Sequence, residues 1–567
     1  MMVFMGLFAS VSAQFEGGNG EMEDPFQVAT LEQLQEVAGH PDQHFIQIAD
    51  IDASATAEWN DGAGFEPIGD DTIPFTGNYN GNGYEIDGLY INRPGEYYTG
   101  LFGYIKDASI SNIGLIENAI VGQTGGADTV SVEGQYIGGL IGYNEGGTVT
   151  DSYATGNVSV EGQYVGGLVG YNYYGNVTGS HATGEVSGNW FTGGLIGENG
   201  GGTVIDSYAT GDVNGSWFTA GLIGSIGSEF APGGTVTDSY ATGDVSGTGN
   251  TIGGLIGRNG GGVVTGSHAK GNVIGTGNNA GGLIGWNASG DVTGSHAEGN
   301  VIGTGDNVGG LIGWNAYGNV TESFGIGVVN GRNRIGGFIG DNLGGLIQDS
   351  YALGTVDGDE EVGGLVGANR NDGEITISFS AGTVSGNTDV GGFAGYNGGT
   401  IENCYWDTNS GEQEQGIGRG SSEGVIGLST DQITGTSAHG NMEEFDFEEI
   451  WLLTEGYPAL HWEDVESIKV FAEKHEYDQP EQFILHQNSP NPFNPSTRIR
   501  FAIPEQAHVK LSVYNLIGQQ VATLVNGIRS AGWHDATFDA SALSSGVFIY
   551  RIKAGEYVET RQMMFVK

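Results

Sequence analysis

The stretch GGLIGYN (Gly138–Asn144) recurs in close copies along most of the chain. From Leu140 onward, the leucine of this motif returns every 27 or 28 residues, except for one interval of 33 between Leu222 and Leu255. A fixed period of this length indicates a solenoid, in which each repeat stacks on the next. The leucine, or a phenylalanine in its place, falls at Leu101, Leu140, Leu168, Leu195, Leu222, Leu255, Leu283, Leu311, Phe338, Leu365 and Phe393.

Each repeat consists of short β-branched runs separated by glycines, as in GTVTDSYATGDV at 234–245. A helical repeat would instead show a 3.6-residue periodicity and few glycines. The sequence therefore predicts an all-β fold, a parallel β-helix solenoid of about eleven coils. One repeat forms each coil, and strands stack about 4.8 Å apart.

Three further columns recur with the leucine, and each predicts a ladder between stacked coils. Side-chain amides of the asparagine column can hydrogen-bond up and down the stack. The asparagines are Asn144, Asn172, Asn199, Asn259, Asn287, Asn315, Asn342, Asn369 and Asn397. The serine column is Ser152, Ser180, Ser207, Ser239, Ser267, Ser295, Ser323, Ser350 and Ser378. A ring follows each serine, at Tyr153, His181, Tyr208, Tyr240, His268, His296, Phe324, Tyr351 and Phe379.

These columns favour structural roles for residues that could otherwise suggest chemistry. Cys404, the only cysteine, takes the serine position, which predicts a packed and inert thiol and rules out an intramolecular disulfide. His268 and His296 alternate with Tyr and Phe, so a stacking ladder is favoured over a metal site. The longer coil after Leu222 lacks the asparagine and predicts an extruded loop around SIGSEFAPGG (225–234).

Charge limits the partners that the chain can have. The 567 residues include 68 acidic and 18 basic ones, for a formal net charge of −50. Nonspecific nucleic-acid binding needs clustered Lys and Arg, so it is excluded, and docking on an anionic membrane is disfavoured. The apolar N-terminus ending in Val11-Ser12-Ala13 predicts a signal peptide at 1–13. No later segment supplies the roughly 20 apolar residues of a membrane span.

The remaining chain divides into five predicted parts. Residues 14–100 form an N-terminal cap and the first strands, with a helix at about 31–38 that Thr30 and Gln33 cap, and a strand in HFIQIADID. Residues 101–405 form the repeat β-helix, 406–463 a C-terminal cap and 464–484 a linker. Residues 485–567 carry a net charge of +3 against −53 for the rest. Alternating runs such as HVKLSVYNL there predict a small immunoglobulin-like antiparallel β-sandwich.

The repeat region resembles GLUG-motif repeat proteins. The resemblance is carried by FEPIGDDTIPFTGNYNGNGYEIDGLYI, GLFGYI, the repeated GG-L-I-G-x-N and the closing CYWDTNSG…GYPALHW. It covers about residues 26–463. The family comprises secreted and surface proteins of bacteria, often adhesin-like, and it implies no single ligand or reaction.

The tail resembles the C-terminal sorting domain (type A) of type IX secretion substrates. The matching residues are Pro490, Asn491, Pro492, Phe493, Asn494 and Pro495, then VYNLIGQQVATLV with Gly518 and LSSGVFIYRIKAG with Gly546. This resemblance implies the type IX secretion machinery as a partner. It also implies that the protein is secreted or attached to the outer surface of a Gram-negative bacterium.

An adhesin-like binding rod, without catalysis, is the favoured function, and a glycan or another extracellular surface is the expected ligand. Aromatic rings can stack on sugars while keeping a polar edge. The candidate ligand-binding residues, all aromatic and all at recurring places in the repeat, are Tyr143, Tyr171, Trp190, Trp217, Trp286, Trp314 and Tyr396. Because Leu and Ile are adjacent in the motif, the sequence leaves open which of them faces the core, and so which face binds.

Two alternatives remain open. The first is a secreted polysaccharide-degrading β-helix enzyme, a lyase or hydrolase, which would need paired carboxylates or a base beside a cation. No cofactor or metal site is expected, although DGDEE (357–361) could form a weak calcium site. The second is a passive or ice-binding face. It would use a threonine column interrupted at Ile205 and Gln348, with Thr150, Thr178, Thr237, Thr265, Thr293, Thr321 and Thr376.

The charge of −50 predicts adaptation to salt. Self-repulsion destabilises a compact state unless ions screen it over about 8–10 Å, as they do at 0.1–0.15 M. We expect the thermal midpoint of the purified protein to rise from low salt to seawater-like salt, measured by scanning calorimetry. A midpoint that stays constant or falls would contradict salt adaptation.

Overall fold

The computed structural model describes two parts of the chain. They are residues 14–463, apart from 94, 118, 122–135, 229–230 and 412, and residues 483–565, apart from 486–487, 489–492, 494, 505–506, 516–518, 530–531, 542, 544 and 556. The chain divides into two compact units, Met1–His461 and Trp462–Lys567. The predicted signal peptide, and all of the predicted linker except its last two residues, lie outside the described residues.

The first unit is a β-solenoid of about 11 turns, as the period predicts. Four long parallel sheets run along it. Sheet 1 has 14 strands, which are Phe26–Val28, His44–Gln47, Asn78–Asn80, Ser109–Ser111, Thr148–Thr150, Asn176–Thr178, Thr203–Ile205, Thr235–Thr237, Val263–Thr265, Asp291–Thr293, Asn319–Thr321, Leu346–Gln348, Glu374–Thr376 and Thr400–Glu402. The threonine column lies in register on this sheet, with Ile205 between Thr178 and Thr237.

Sheet 2 has 23 short strands in two columns, which join in the long strands Phe324–Asn330 and Tyr351–Asp357. The others are Ile51–Asp52, Glu85–Asp87, Tyr90–Ile91, Gly114–Ile116, Ala119–Val121, Tyr153–Ala154, Val158–Ser159, His181–Ala182, Val186–Ser187, Tyr208–Ala209, Val213–Gly215, Tyr240–Ala241, Val245–Gly247, His268–Ala269, Val273–Gly275, His296–Ala297, Val301–Gly303, Phe379–Ala381, Val384–Ser385, Cys404–Asp407 and Val425–Leu428.

Sheets 3 and 4 adjoin each other, because each coil passes from one to the other at the glycine-leucine motif. Sheet 3 comprises Tyr98–Thr99, Tyr136–Gly138, Gln163–Gly166, Trp190–Gly193, Trp217–Ala220, Ile252–Gly253, Ala280–Gly281, Asp306–Gly309, Asn333–Gly336, Glu360–Gly363 and Thr388–Gly391. Sheet 4 comprises Phe102–Lys106, Ile141–Glu145, Val169–Tyr173, Ile196–Gly200, Ile223–Ile226, Ile256–Gly260, Ile284–Ala288, Ile312–Ala316, Ile339–Leu343, Val366–Arg370, Ala394–Asn397 and Ile417–Gly420.

Both apolar residues of the motif belong to the core. Leu140 and Ile141 are each fully buried, and the same holds for the equivalent pairs along the rod. Both side chains reach the core because the leucine lies in the turn between sheets 3 and 4, where the strict alternation of a strand does not apply. A second cluster, with Val245 and Ile252 among its members, fills the space between sheet 3 and one column of sheet 2.

The asparagine ladder is present as predicted. Except at Asn199 and Asn397, the Nδ2 group of each asparagine donates to the Oδ1 atom of the asparagine in the next coil, at 2.7 Å from Asn144 to Asn172 and at 2.8 Å from Asn287 to Asn315. The same Nδ2 group also donates to a glycine carbonyl in its own turn, such as Gly290 O at 2.9 Å. Every amide is buried, so these bonds satisfy groups that water cannot reach.

The serine ladder works in the same way. The backbone N–H of Ser152 donates to Ser180 Oγ at 3.2 Å, and Ser152 Oγ donates to the Thr150 carbonyl at 2.8 Å. Cys404 continues this column: its Sγ lies 3.3 Å from the Glu402 carbonyl, and burial raises the pKa of the thiol to about 12. A thiol with so high a pKa stays protonated and unreactive at neutral pH.

The long coil interrupts the amide ladder. Ile226 takes the asparagine place between Asn199 and Asn259 and is fully buried, which replaces a hydrogen bond with apolar packing. After it, Ser228 pairs with Ala231, and Ala231 is buried. The centre of the predicted extruded loop, residues 229–230, lies outside the described residues.

Stacked rings follow the serines on sheet 2. From Tyr153 to Phe379, successive ring centroids lie 4.5–5.1 Å apart and the planes are within 16° of parallel. His268 and His296 are two rungs, 4.9 Å apart, so they stack as the sequence predicts. Burial, with the neighbouring charges of His296 and Lys270, lowers the pKa of His268 to about 4.

Two end segments cover parts of the solenoid. At the start, a capping box of Thr30 and Gln33 opens the helix Leu31–Glu36, which ends two residues short of the prediction and continues as the 3₁₀ turn Val37–Gly39. Near the end, Trp451 packs on the rungs Tyr351 and Phe379, and its Nε1 donates to Asp349 at 3.1 Å. The other helical segments are Ser54–Gly62, Thr430–Ile433 and Ser437–Asn441, and Trp451–Leu452 pairs with Ala459–Leu460.

The second unit is antiparallel, as its alternating sequence predicts. One sheet has the order Ile484–Leu485, Ser496–Ile503, Gly532–Asp539, and the other has the order Gln520–Arg529, Ala507–Asn515, Gly546–Ala554, Tyr557–Phe565. Residues from both sheets form a separate hydrophobic core. This unit therefore has its own packing, as a domain does.

Removing one rung of the amide ladder should destabilise the solenoid. In Asn287→Ala the Asn315 Oδ1 and Gly290 O atoms lose a buried donor, and we expect a loss of about 1–3 kcal/mol in unfolding free energy. Urea denaturation followed by circular dichroism measures it. Asn319→Ala, at an exposed asparagine on sheet 1, is the matched control and should change stability by less than about 0.5 kcal/mol. Equal effects of the two changes would contradict a stabilising ladder.

The histidine rungs predict a pH dependence. Between pH 6.5 and about 4 the unfolded chain binds a proton at His268 and the folded chain does not. Stability is therefore complete above pH 6.5 and decreases as the pH falls through this window. We expect His268→Phe to lose less thermal stability than the wild type between pH 7.5 and pH 5. The exposed His439→Phe should behave like the wild type, and an unchanged pH slope in His268→Phe would refute the assignment.

Candidate binding strip

One position of the repeat differs from coil to coil, whereas its neighbours barely change. It follows the motif's third and last glycine, on sheet 4, and the strand register aligns it along the rod. We call it the variable column. It holds Tyr104, Tyr143, Tyr171, Glu198, Ser225, Arg258, Trp286, Trp314, Asp341, Ala368, Tyr396 and Arg419.

A second column faces it from sheet 3. After Tyr98 and Tyr136 it continues with nine residues whose φ lies between 52° and 73°. They are Tyr164, Phe191, Phe218, Thr251, Asn279, Asn307, Arg334, Glu361 and Asp389. We call it the left-handed column, and the two columns together the corner strip. Large and β-branched side chains seldom adopt this conformation, and such strain tends to cluster at functional sites.

Glycine allows the two sheets to approach closely beneath the strip. A Cβ atom at Gly197 would lie 2.5 Å from the carbonyl carbon of Tyr164 and 2.6 Å from the nitrogen of Val165. No side chain larger than hydrogen fits there. The motif glycine that precedes the variable column therefore brings the two columns into contact.

Tyrosines fill the N-terminal third of the strip. Tyr143 stacks on Tyr104 at 4.7 Å within its own column and meets Tyr136 of the other column edge-on at 5.0 Å. Tyr171 lies 5.1 Å from Tyr143 and is 8% exposed, which makes it the most buried of the aromatic candidates. Burial raises the pKa of Tyr143 and of Tyr171 far above 10, so the hydroxyls stay protonated and can donate hydrogen bonds.

Two tryptophans project at the border of the strip. Trp190 and Trp217 precede Phe191 and Phe218 of the left-handed column and stack on each other at 5.5 Å. They are 38% and 37% exposed, far more than a tryptophan in a core. The pair therefore presents the largest accessible aromatic surface among the candidate residues.

The middle of the strip contains a second tryptophan pair. Trp286 and Trp314 stack at 5.1 Å, and the guanidinium of Arg258 lies 5.2 Å from the Trp286 centroid. Among the described residues, neither tryptophan Nε1 atom has a hydrogen-bond acceptor. Because each ring covers a face of the other, a ligand would meet mainly the ring edges.

Ion pairs occupy the C-terminal third. Asp341 is buried and pairs with both Arg370 and Arg334. Arg419 pairs with Asp389 and Glu361 and lies over the ring of Tyr396, 4.1 Å from its centroid. Arginine keeps unused N–H donors after such pairing, which a ligand oxygen can accept.

A buried carboxyl group marks the change from tyrosines to charged residues. Burial raises the pKa of Glu198 to about 7, against a hydrogen bond from Ser228 and the charge of Arg258, which lower it. The side chain is 1% exposed. A carboxyl group with such a pKa can serve as a general acid, but at this exposure Glu198 is not in contact with solvent.

The seven predicted ligand-binding residues all lie on or beside the corner strip. Five belong to the variable column, and Trp190 and Trp217 border the left-handed column. The structure brings them together as three pairs, with Tyr396 beside Arg419. Sequence reasoning missed Tyr98, Tyr104, Tyr136, Tyr164, Glu198, Arg258, Arg334, Asp341 and Arg419. The missed residues of the variable column could have been found from their fixed place in the repeat. No signal in the sequence marks the contact between the variable column and the left-handed column.

Other predicted site residues have mixed locations. Of the sorting motif, Phe493, Pro495 and Gly546 are described, whereas Pro490, Asn491, Pro492, Asn494 and Gly518 lie outside the described residues. Phe493 is buried against Phe538 and Phe565. In DGDEE, Glu361 pairs with Arg419, and within the described ranges no three His, Cys, Asp or Glu side chains form a metal-binding group.

Two protein-family models match the chain. The model for the GLUG motif matches residues 133–159, 161–187, 188–214 and 386–405. The model described as a secretion system C-terminal sorting domain matches residues 489–567. The chain carries GLUG repeats and a type IX sorting domain. The sorting domain indicates that this GLUG-repeat protein is secreted or displayed on the cell surface.

Two curated relatives each match about a quarter of the chain, and the chain covers only a small part of either relative. Halomucin of Haloquadratum walsbyi is 40% identical over 147 residues, which cover 24% of this chain and 2% of the relative. A "Gly-rich membrane protein" of Evansella cellulosilytica is 40% identical over 139 residues, covering 24% of this chain and 15% of the relative. No solved structure matches the chain. Among the described residues, no helix is both long and apolar enough to cross a membrane.

Proposed function

We propose that this GLUG-repeat protein is an adhesin-like rod that binds extracellular glycans or surfaces through the corner strip, without catalysis. The variable column carries the proposal. Most other positions of the coil repeat the same few residues because each coil must pack on identical neighbours. The variable column changes among Tyr, Trp, Arg, Glu and Asp, and the left-handed column that faces it changes as well. Both columns are therefore free of that demand and available for recognition.

The side chains of the strip suit sugars. Tyr and Trp combine apolar ring surface with a polar edge, and they lose little conformational freedom on binding. The exposed pair of Trp190 and Trp217 offers the most accessible contact, while Trp286 and Trp314 lie further along the same strip. Surface display by the sorting domain supports contact with extracellular polymers.

The surroundings of the protein form part of the proposal. A net charge of −50 and the similarity to a protein named Halomucin support a role in salt-rich surroundings. Under such conditions ions screen long-range charge, so short-range ring and hydrogen-bond contacts decide which ligand binds.

Catalysis is not part of the proposal. Glycoside hydrolysis by the usual route needs two carboxyl groups on either side of the scissile bond. Glu198, a strip carboxyl group whose pKa burial raises to about 7, is 1% exposed and cannot reach a bound sugar without rearrangement. A polysaccharide-degrading enzyme would release new reducing ends from its polymer, so incubation with bound polymers followed by a reducing-sugar assay distinguishes the two functions.

Glycan binding should depend on the exposed tryptophans. We expect the full-length chain, on a polysaccharide array in high salt, to bind a subset of polymers. Trp190→Ala with Trp217→Ala should weaken that binding at least tenfold, because two exposed rings supply about 1–2 kcal/mol of contact. Trp286→Ala with Trp314→Ala should weaken it as well. Arrays with and without calcium show whether that ion contributes.

The matched control is Tyr317→Ala, an aromatic residue that is 60% exposed, follows the sheet 4 strand Ile312–Ala316 and belongs to neither column of the strip. It should leave binding unchanged, and thermal melts should show that every variant is folded. No binding to any polymer, or an equal loss of binding in the control and the tryptophan variants, would refute glycan recognition by the strip.

A further inference from the structure

The corner strip is balanced in charge on a strongly acidic molecule. Of the six arginines between residues 14 and 463, all but Arg93 lie on the strip or pair with it. They are Arg258, Arg332, Arg334, Arg370 and Arg419. The carboxylates of the strip and its ion pairs also number five, namely Glu198, Asp306, Asp341, Glu361 and Asp389.

The pairing is close. Asp306 accepts from Arg332 at 3.0 Å and from Arg334 at 3.3 Å, and Arg419 lies 2.6 Å from Asp389. Arg258 instead donates to the Gly227 carbonyl at 2.8 Å, and its charge acts on Glu198. Such pairs cancel each other's field, so the strip neither attracts nor repels charge over a distance, whereas the rest of the surface is negative.

We infer that the corner strip binds an uncharged, linear polysaccharide lengthwise, an inference that rests on the proposed glycan binding. An anionic polymer would meet the carboxylates of these ion pairs at short range, where salt screens them least, without a positive patch to offset them. A cationic polymer would bind the acidic surface elsewhere. Only an uncharged polymer gains more from the strip than from any other face.

The hydroxyl groups of a sugar can bond both the hydrogen-bond donors and the acceptors of the strip. A hydroxyl both donates and accepts, so it can bond a carboxylate oxygen and a guanidinium N–H of the same ion pair. The amides of Asn279 and Asn307, 2.7 Å apart across neighbouring coils, provide the same mixture in the middle of the strip. Ion pairs would thus supply oriented contacts, while the tryptophan and tyrosine edges supply apolar ones.

The shape of the strip implies an extended ligand. The variable column has one residue per coil for twelve strands of sheet 4, and strands stack about 4.8 Å apart. The column therefore runs for roughly 50 Å. A polymer aligned with it passes every coil, although Glu198, Ser225, Asp341 and Ala368 are buried in four of them. A longer polymer therefore reaches more of the partly exposed rings and arginines, until the strip is filled.

Calorimetric titration of the full-length chain in high salt tests this inference. The probes are uncharged gluco-, manno- and xylo-oligosaccharides of two to ten sugars, and oligouronates and sulfated oligosaccharides of the same lengths. We expect the affinity for at least one uncharged series to rise at least tenfold from two to eight sugars, and each anionic series to bind at least tenfold more weakly.

Substitutions test whether the ligand binds at the strip. Arg419→Gln with Asp389→Asn removes one ion pair and keeps the charge balanced, and it should weaken binding of long uncharged oligosaccharides at least threefold. Lys270→Gln, a similarly exposed cation on sheet 2, is the control and should have no effect. Thermal melts of both variants verify folding.

The outcomes separate the two proposals. Tighter binding of anionic oligomers, affinity independent of length, or equal effects of the strip and Lys270 variants would overturn this inference and leave glycan binding standing. Absence of binding to every oligosaccharide and polymer would overturn the proposed function, and this inference with it.

Discussion

The buried amide ladder is the interaction on which the solenoid depends. Seven of the nine asparagines bond the next coil as well as their own turn, so a coil that slipped by one residue would leave several buried polar groups unpaired. The ladder therefore sets the register of the stack. Every other column, including the variable column, is straight because this register is kept.

A rigid, repeating interior leaves the surface free to vary. The serine and aromatic ladders repeat on sheet 2, and the leucine and isoleucine pairs fill the core at each turn. These residues cannot differ between coils without losing contacts to two neighbours. Ile226 is the exception, because this one change interrupts the amide ladder between Asn199 and Asn259. The variable column escapes this demand, and so it can carry different chemistry at each coil.

Charged residues are distributed unevenly over the chain. The acidic residues are spread over a surface that salt must screen, whereas nearly all arginines of the solenoid unit are concentrated at the corner strip and its ion pairs. The sorting unit has its own core, and its sequence has a net positive charge. The sorting domain and the strip proposed for recognition thus belong to separate parts of the chain, each with its own stabilising contacts.

Much of this architecture follows from the sequence by itself. The period, the asparagine and serine columns and the stacked histidines are predictable, because identical coils in register must place identical residues together. The sorting domain is also predictable, because its motifs occur in a fixed order. Only the tertiary structure decided that Leu140 and Ile141 both face the core, since the leucine lies in a turn where alternation fails. The contacts of Tyr136 with Tyr143 and of Arg334 with Asp341 are likewise known only from the tertiary structure. These contacts join different sheets, and they depend on left-handed backbone and on glycine-sized gaps that no spacing in the sequence reveals.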